Sequence, residues 1–109
     1  MSIKGVPTDA ARPVADLIVA GEHTVASRGL ARQQVADLAL FALAAGESVS
    51  EERYPADTVY VCLEGTLAVT RGGKQALVPA GSCLRVKEGV DHAVSGVDGS
   101  AVKFLQVNA

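Results

Sequence analysis

The stretch Thr58-Val59-Tyr60-Val61-Cys62-Leu63-Glu64-Gly65 decides the fold. Nearly every residue up to Leu63 is β-branched, aromatic or otherwise at home in a strand, and Glu64-Gly65 punctuates the run. The same rhythm continues downstream. Leu67 to Thr70 is a strand candidate, and Arg71-Gly72-Gly73-Lys74 reads as a hairpin turn with a Gly-Gly pair at its centre. Gln75 to Val78 returns, Pro79-Ala80-Gly81 turns, and Cys83 to Val86 is a further strand. Glu88-Gly89 turns again, His92 to Ser95 follows, Asp98-Gly99 reads as a last hairpin turn, and Ala101 to Val107 closes the pattern. Turn signals recur roughly every eight to twelve residues, the spacing of an all-β sandwich or barrel.

Upstream of Gly46 the text is more apolar. Val35 to Ala45 carries Leu38 and Leu40 on one parity and Phe41 and Leu43 on the other. A strand buried on both faces has this composition, and a helix is the rival reading because Ala and Leu are strong helix formers. The plainly β neighbours favour the strand. Thr24 to Ala31 and Val14 to Ala20 are further strand candidates, the latter between Pro13 and Gly21.

Composition sets bounds on function. A chain of 109 residues holds one core of useful size. Hydrophobic residues make up 49% and charged residues 20%, a globular balance and not a disordered one. Ten Lys and Arg against twelve Asp and Glu give a net charge of −2 with no basic cluster, which argues against a nucleic-acid binder. The longest apolar run, Leu38 to Ala45, is far too short to span a bilayer, so no membrane partner is expected. The first residues show no basic segment followed by an apolar block and do not read as a secretory signal. Two cysteines, Cys62 and Cys83, form no CxxC pair and are too few for a disulfide scaffold, so a cytoplasmic location is the expectation.

Two spaced motifs carry a resemblance. Gly46, Glu52, Tyr54, Thr58 and Gly65 stand at the spacing of the first cupin motif: Gly, five residues, His, one, His, three or four, Glu, six, Gly. Gly81, Lys87, Gly89, His92 and Gly96 stand at the spacing of the second: Gly, five residues, Pro, one, Gly, two, His, three, Asn. Over roughly residues 35 to 107 the chain therefore resembles a small single-domain cupin of the RmlC-like type. The resemblance implies an all-β, double-stranded β-helix or jelly-roll barrel over residues 35–109. It leaves residues 1–34 as an N-terminal segment with a dimer-packing strand. A closed double sheet is also how a small all-β chain hides its strand edges.

In metal-binding cupins three His and one Glu converge on a divalent ion. The matching positions here hold Glu52, Tyr54, Thr58 and His92, and only His92 keeps the family residue. A stable site needs three or four good ligands, so no metal is expected. Were one bound (Fe, Zn, Mn or Ni), Glu52, Tyr54 and His92 would be its ligands. Strand alternation places Thr58, Tyr60 and Cys62 on one face of their strand, with Val59 and Val61 on the other. It pairs Glu52 with Tyr54, and Val90 and Val94 with His92. The expected site is Glu52, Tyr54, Thr58, Tyr60, Cys62 and His92 against an apolar wall, the make-up of a small-molecule pocket.

Each residue has a plainer reading beside the functional one. His92 is a general acid or base, since imidazole titrates near neutrality, or a satisfied interior histidine. Glu52 orients that imidazole or is a rim carboxylate in the polar stretch Glu47 to Arg53. Tyr54 and Tyr60 bind ligand through their phenols, or Tyr60 is barrel core. Cys62 is a nucleophile only with a depressed pKa and is otherwise a small buried hydrophobe. A Cys62–Cys83 disulfide is left open. Arg85 faces solvent or anchors a carboxylate in the pocket. His23 is expected to be exposed.

Two functional readings follow: a module binding a small molecule in the barrel, or an enzyme (isomerase, lyase or dioxygenase-like) using His92 and Glu52, with or without metal. A surface-acting module with a vestigial pocket is a third. The apolar Val14 to Ala20 needs a cover, and a two-fold homodimer built by strand addition supplies one. The rival is packing on its own barrel.

Overall fold

The computed structural model describes residues 4–10, 12–32 and 36–109. Among the described residues nine strands follow in chain order: β1 (Val25–Arg32), β2 (Asp37–Leu43), β3 (Ser48–Glu52), β4 (Thr58–Glu64), β5 (Thr66–Arg71), β6 (Lys74–Pro79), β7 (Cys83–Val86), β8 (His92–Gly96) and β9 (Val102–Asn108). They form two sheets, ordered β1-β2-β9-β4-β7 and β3-β8-β5-β6, with antiparallel pairing throughout. This is the jelly roll that the turn spacing and the two motifs imply.

The core sits between the sheets. Leu43, Tyr60, Cys62, Leu67, Val69, Val78, Val86, Val94, Val102 and Phe104 form one buried cluster, and Phe41, Val49 and Leu84 pack against it. Phe41 stacks on Phe104 with ring centroids 5.1 Å apart, and the edge of Tyr60 meets Phe104 at 5.7 Å. Such aromatic pairs contribute about 0.5–1.5 kcal/mol beyond their burial. The interior is thus filled by side chains over much of its length.

β2 is covered on both faces, as its two apolar parities require. Phe41 and Leu43 enter the core, while Leu38, Leu40 and Ala42 join a second cluster with Ile18 and Leu30 on the outer face of the sheet. Val35, the start of the expected strand, lies outside the described residues.

Three expectations are corrected. Val14 to Ala20 is not a strand: Val14–Leu17 is a single 3-10 turn, and the chain then extends through Ile18. Pro13 starts this turn, its carbonyl accepting from the Asp16 N–H. Ile18, 7% exposed, packs on the chain's own β1 and β2. Asp98-Gly99 is not a hairpin, because β8 and β9 lie in different sheets and the turn Val97–Gly99 crosses between them. Third, the alternation expected to set Glu52 and Tyr54 on one face of a strand does not hold, because β3 ends at Glu52 and Tyr54 lies in the loop that follows. Four of the five residues of β3 are exposed and Val49 alone is its apolar anchor, so no alternation announced it.

Two motif glycines are sterically required. Gly65 has φ of 79°, and a Cβ there would lie 2.8 Å from the Ala101 carbonyl oxygen. Gly96 fills the position that is Asn in the second motif, and a Cβ there would run into the Ser100 carbonyl. That approach is where β8 leaves its sheet for the crossover.

Candidate functional site

Five strand ends meet at one end of the barrel. β3 ends at Glu52, β7 at Val86 and β9 at Asn108, while β4 begins at Thr58 and β8 at His92. The register sets Glu52 opposite His92, Thr58 opposite Val86 and Asn108, and Tyr60 opposite Gln106. Strand pairing therefore gathers residues from both motifs.

At the centre is a buried hydrogen bond between the Tyr60 hydroxyl and His92 Nε2, 2.7 Å long. Each residue is only 2% exposed. His92 Nδ1 lies 2.9 Å from the Val90 carbonyl oxygen. A carbonyl only accepts, so Nδ1 carries a hydrogen, which leaves Nε2 to accept from the Tyr60 O–H. Burial raises the Tyr60 pKa above the ordinary phenol value, with the nearby Tyr54 and Glu52 adding to it, so this phenol holds its proton. Tyr54, half-buried, tilts over the pair with its ring 5.8 Å from His92 at 53°.

The remaining expected residues fall into place around this pair. Thr58, Tyr60 and Cys62 alternate inward as predicted. The Thr58 hydroxyl accepts from Asn108 Nδ2 at 2.7 Å, and Asn108 Oδ1 accepts from Gln106 Nε2 at 3.0 Å. Glu52 is exposed at the rim, and both imidazole nitrogens are already engaged, so it does not orient His92. Val90 is not on the inner wall: it lies in the turn before β8 and contributes its carbonyl. Cys62 is fully buried toward the opposite end, its thiol facing the Gly65 and Glu64 carbonyls at 3.4 and 3.7 Å. Burial pushes that thiol up, the wrong direction for a nucleophile. Both cysteines are free, so the open question of a disulfide is answered. Arg85 pairs in register with Val59, points outward, and lies 3.8 Å from Asp57. His23 is exposed beside Glu22.

Sequence reasoning missed Gln106, a buried polar residue facing Tyr60's strand, and Asn108. Period two from Val102 and Phe104 carries both to the inner face and was the available signal. It also missed the pair Arg53–Asp91, which bridges the β3–β4 and β7–β8 loops through Nε–Oδ1 at 2.7 Å and Nη2–Oδ2 at 2.9 Å. The guanidinium holds the Asp91 carboxyl below its usual range. No signal in one sequence pairs residues 38 positions apart. A recess of about 330 Å³ lined by Pro55, Ala56, Asp57, Glu88 and Ala109 lies beside these loops.

These residues do not fit a divalent metal. At the four ligand positions, the Thr58 hydroxyl is tied to Asn108 and both His92 nitrogens are engaged. That leaves one exposed carboxylate and one phenol. Among the described residues no three of His, Cys, Asp or Glu converge on a common point.

Two packed sheets with both motifs meeting at one end of the barrel define a jelly-roll protein of the cupin type. The cupin-domain family pattern matches residues 39–108, and the chain belongs to the cupin family. No curated protein matches it. Among solved structures, a cupin superfamily protein from Desulfitobacterium hafniense is 34% identical, with 99% of this chain and 97% of that one covered and a TM-score of 0.93. A conserved protein of unknown function from Streptococcus pyogenes shares the fold at 20% identity, covering 100% and 94%, with a TM-score of 0.91. A Thermus thermophilus protein does so at 24% identity, covering 90% and 94%, with a TM-score of 0.78. Among the described residues no helix is long and apolar enough to cross a membrane.

Proposed function

We propose that this cupin binds a small, partly apolar molecule at the barrel end formed by Glu52, Tyr54, Tyr60 and His92, without a divalent metal. The observation that carries this reading is the Tyr60–His92 hydrogen bond under the tilted Tyr54 ring. It commits the imidazole Nε2 to a phenol inside the barrel. The Tyr54 ring offers an apolar face, and the Glu52 carboxylate and Tyr54 hydroxyl have no side-chain hydrogen-bond partner among the described residues, leaving them free for a ligand's polar groups. Binding is favoured over proton-transfer catalysis by His92 and Glu52, because Nε2 is capped by a phenol that keeps its proton and Glu52 makes no hydrogen bond to the ring.

A thermal-shift screen of small molecules tests the reading. A ligand selective for the native state, at a hundredfold excess over its Kd, stabilises by about 2.7 kcal/mol. Tyr54 and Tyr60 are the only tyrosines and the chain has no tryptophan, so intrinsic fluorescence reports on this site alone. A hit that raises the midpoint, alters tyrosine emission and loses affinity in Tyr54→Ala supports the proposal. Hits that bind Tyr54→Ala undiminished overturn it.

The two free thiols accord with a reducing cytoplasm. A two-fold homodimer across β1 accords with β2 being its one strand neighbour among the described residues, where the Lys4 N–H alone also donates to its Leu30 carbonyl, and with exposed Val19 and Val25 beside it. Light scattering on the purified protein gives the mass that decides it.

A further inference from the structure

The loops bounding the site are joined by three contacts of different kinds. The Gly89 N–H donates to the Tyr54 carbonyl at 2.9 Å, and the Glu88 N–H donates to Asp57 Oδ1 at 2.9 Å. The third contact, the two-pronged Arg53–Asp91 pair, is the only one of them made between two side chains. Arg53 immediately precedes Tyr54, and Asp91 immediately precedes His92. The pair thus ties together the backbones that carry the covering ring and the covered imidazole.

The surroundings leave Tyr54 few other restraints. β3 is a polar edge strand, and its register with β8 is broken between Val49 and Glu52. The recess lined by Pro55, Ala56, Asp57 and Glu88 borders the same two loops, so the Tyr54 loop is not packed against on that side. Tyr60 and His92, by contrast, are held in the filled core. A two-pronged guanidinium–carboxylate contact fixes orientation as well as distance, whereas an exposed pair adds little to global stability.

We propose that the Arg53–Asp91 pair is the latch of this site: it positions Tyr54 over the Tyr60–His92 pair and sets how readily that end of the barrel opens. As a statement about ligand access it rests on the proposed binding site, but the latch is measured without any ligand. Arg53 and Asp91 are positioning residues. When the pair parts, the Tyr54 ring swings outward, and the edge of His92 and the Tyr60 hydroxyl become reachable.

The test uses the full chain, with tetranitromethane as a probe of Tyr54 (nitration read by peptide mass) and acrylamide quenching of tyrosine fluorescence. Arg53→Gln and Asp91→Asn are each expected to raise the Tyr54 nitration rate about two- to fivefold, the range an exposed ion pair supports. The exchange variant Arg53→Asp/Asp91→Arg is expected to return it toward the original value. Melting midpoints of the single variants stay within about 4 °C of the parent. In 1 M salt, where screening acts over about 3 Å, the parent rate rises and the single-variant rates do not. Unchanged nitration in both single variants overturns the latch, as does a change the exchange fails to restore. So does a large fall in midpoint, which would make the pair structural. None of these results bears on whether Tyr54→Ala loses a ligand, so latch and binding site fail separately.

Discussion

Replacing Tyr60 with Phe removes one oxygen from the barrel interior and leaves the ring, with its edge contacts to His92 and Phe104, in place. The consequence falls on His92. Its Nε2 accepts only from that hydroxyl, and the residue is 2% exposed, so water does not replace the lost donor. A buried acceptor left unpaired costs about 1–3 kcal/mol. A 109-residue chain unfolds with an entropy of about 0.23 kcal/mol per degree at its midpoint, so the melting temperature falls by about 4–13 °C. Urea denaturation followed by far-ultraviolet circular dichroism measures the same quantity, with the slope unchanged. The double variant Tyr60→Phe/His92→Leu sharpens the test. With neither partner left polar there is no orphan, and the double variant is expected to melt above at least one single variant and well above the sum of the two losses. Additive losses, or a Tyr60→Phe protein that melts with the parent, would refute the claim that this hydrogen bond organises the site.

Three further outcomes follow from the same structure. Tyr60 and Cys62 both have pKa values raised chiefly by burial, so their protonated forms are favoured in the folded state. Their contribution is complete below the unfolded values, near 9 for the thiol and 10 for the phenol, and is lost as pH rises through the folded ones. Stability therefore declines above about pH 9, and the decline is shallower in Tyr60→Phe and in Cys62→Ala; parallel profiles would count against it. A chromogenic thiol reagent is expected to label one cysteine, the exposed Cys83, in the native protein and Cys62 only after denaturation; two fast native thiols contradict the buried placement. Ile18→Ala is expected to destabilise by about 2 kcal/mol and expose the N-terminal segment to protease, whereas a loss under 0.5 kcal/mol would deny that this segment covers its own sheet.

How much of this was legible in the sequence depends on the element. The facing of β4 was readable, since Thr58, Tyr60 and Cys62 face inward in strict alternation with Val59 and Val61, although the strand runs one residue further, through Glu64. β2 was readable as a strand covered on both faces because its apolar residues occupy both parities. β3 was not, because an exposed edge strand with one half-buried valine carries no period. The segment at Val14 misled for the opposite reason. Its apolar residues suggested a strand, yet Val14 and Val19 remain exposed and Ile18 alone is buried. The turn at Asp98-Gly99 has hairpin chemistry, and only the sheet order shows that it joins different sheets.

The amino-acid order on its own determined the class of fold, the inward set of β4, and the meeting of positions 52, 54, 58 and 92 at one end of a barrel. The first two follow from local alternation and turn chemistry, which act over a few residues, and the third is what the resemblance of the two motifs to the cupin pattern implied. Only the tertiary structure decided that His92 is capped by Tyr60 and Val90 and not by Glu52, that Thr58 is tied to Asn108, and that Arg53 grips Asp91. Each of those choices is a competition among polar groups for partners within 3 Å, and strand register and loop closure, set by the whole core, determine which groups come within reach.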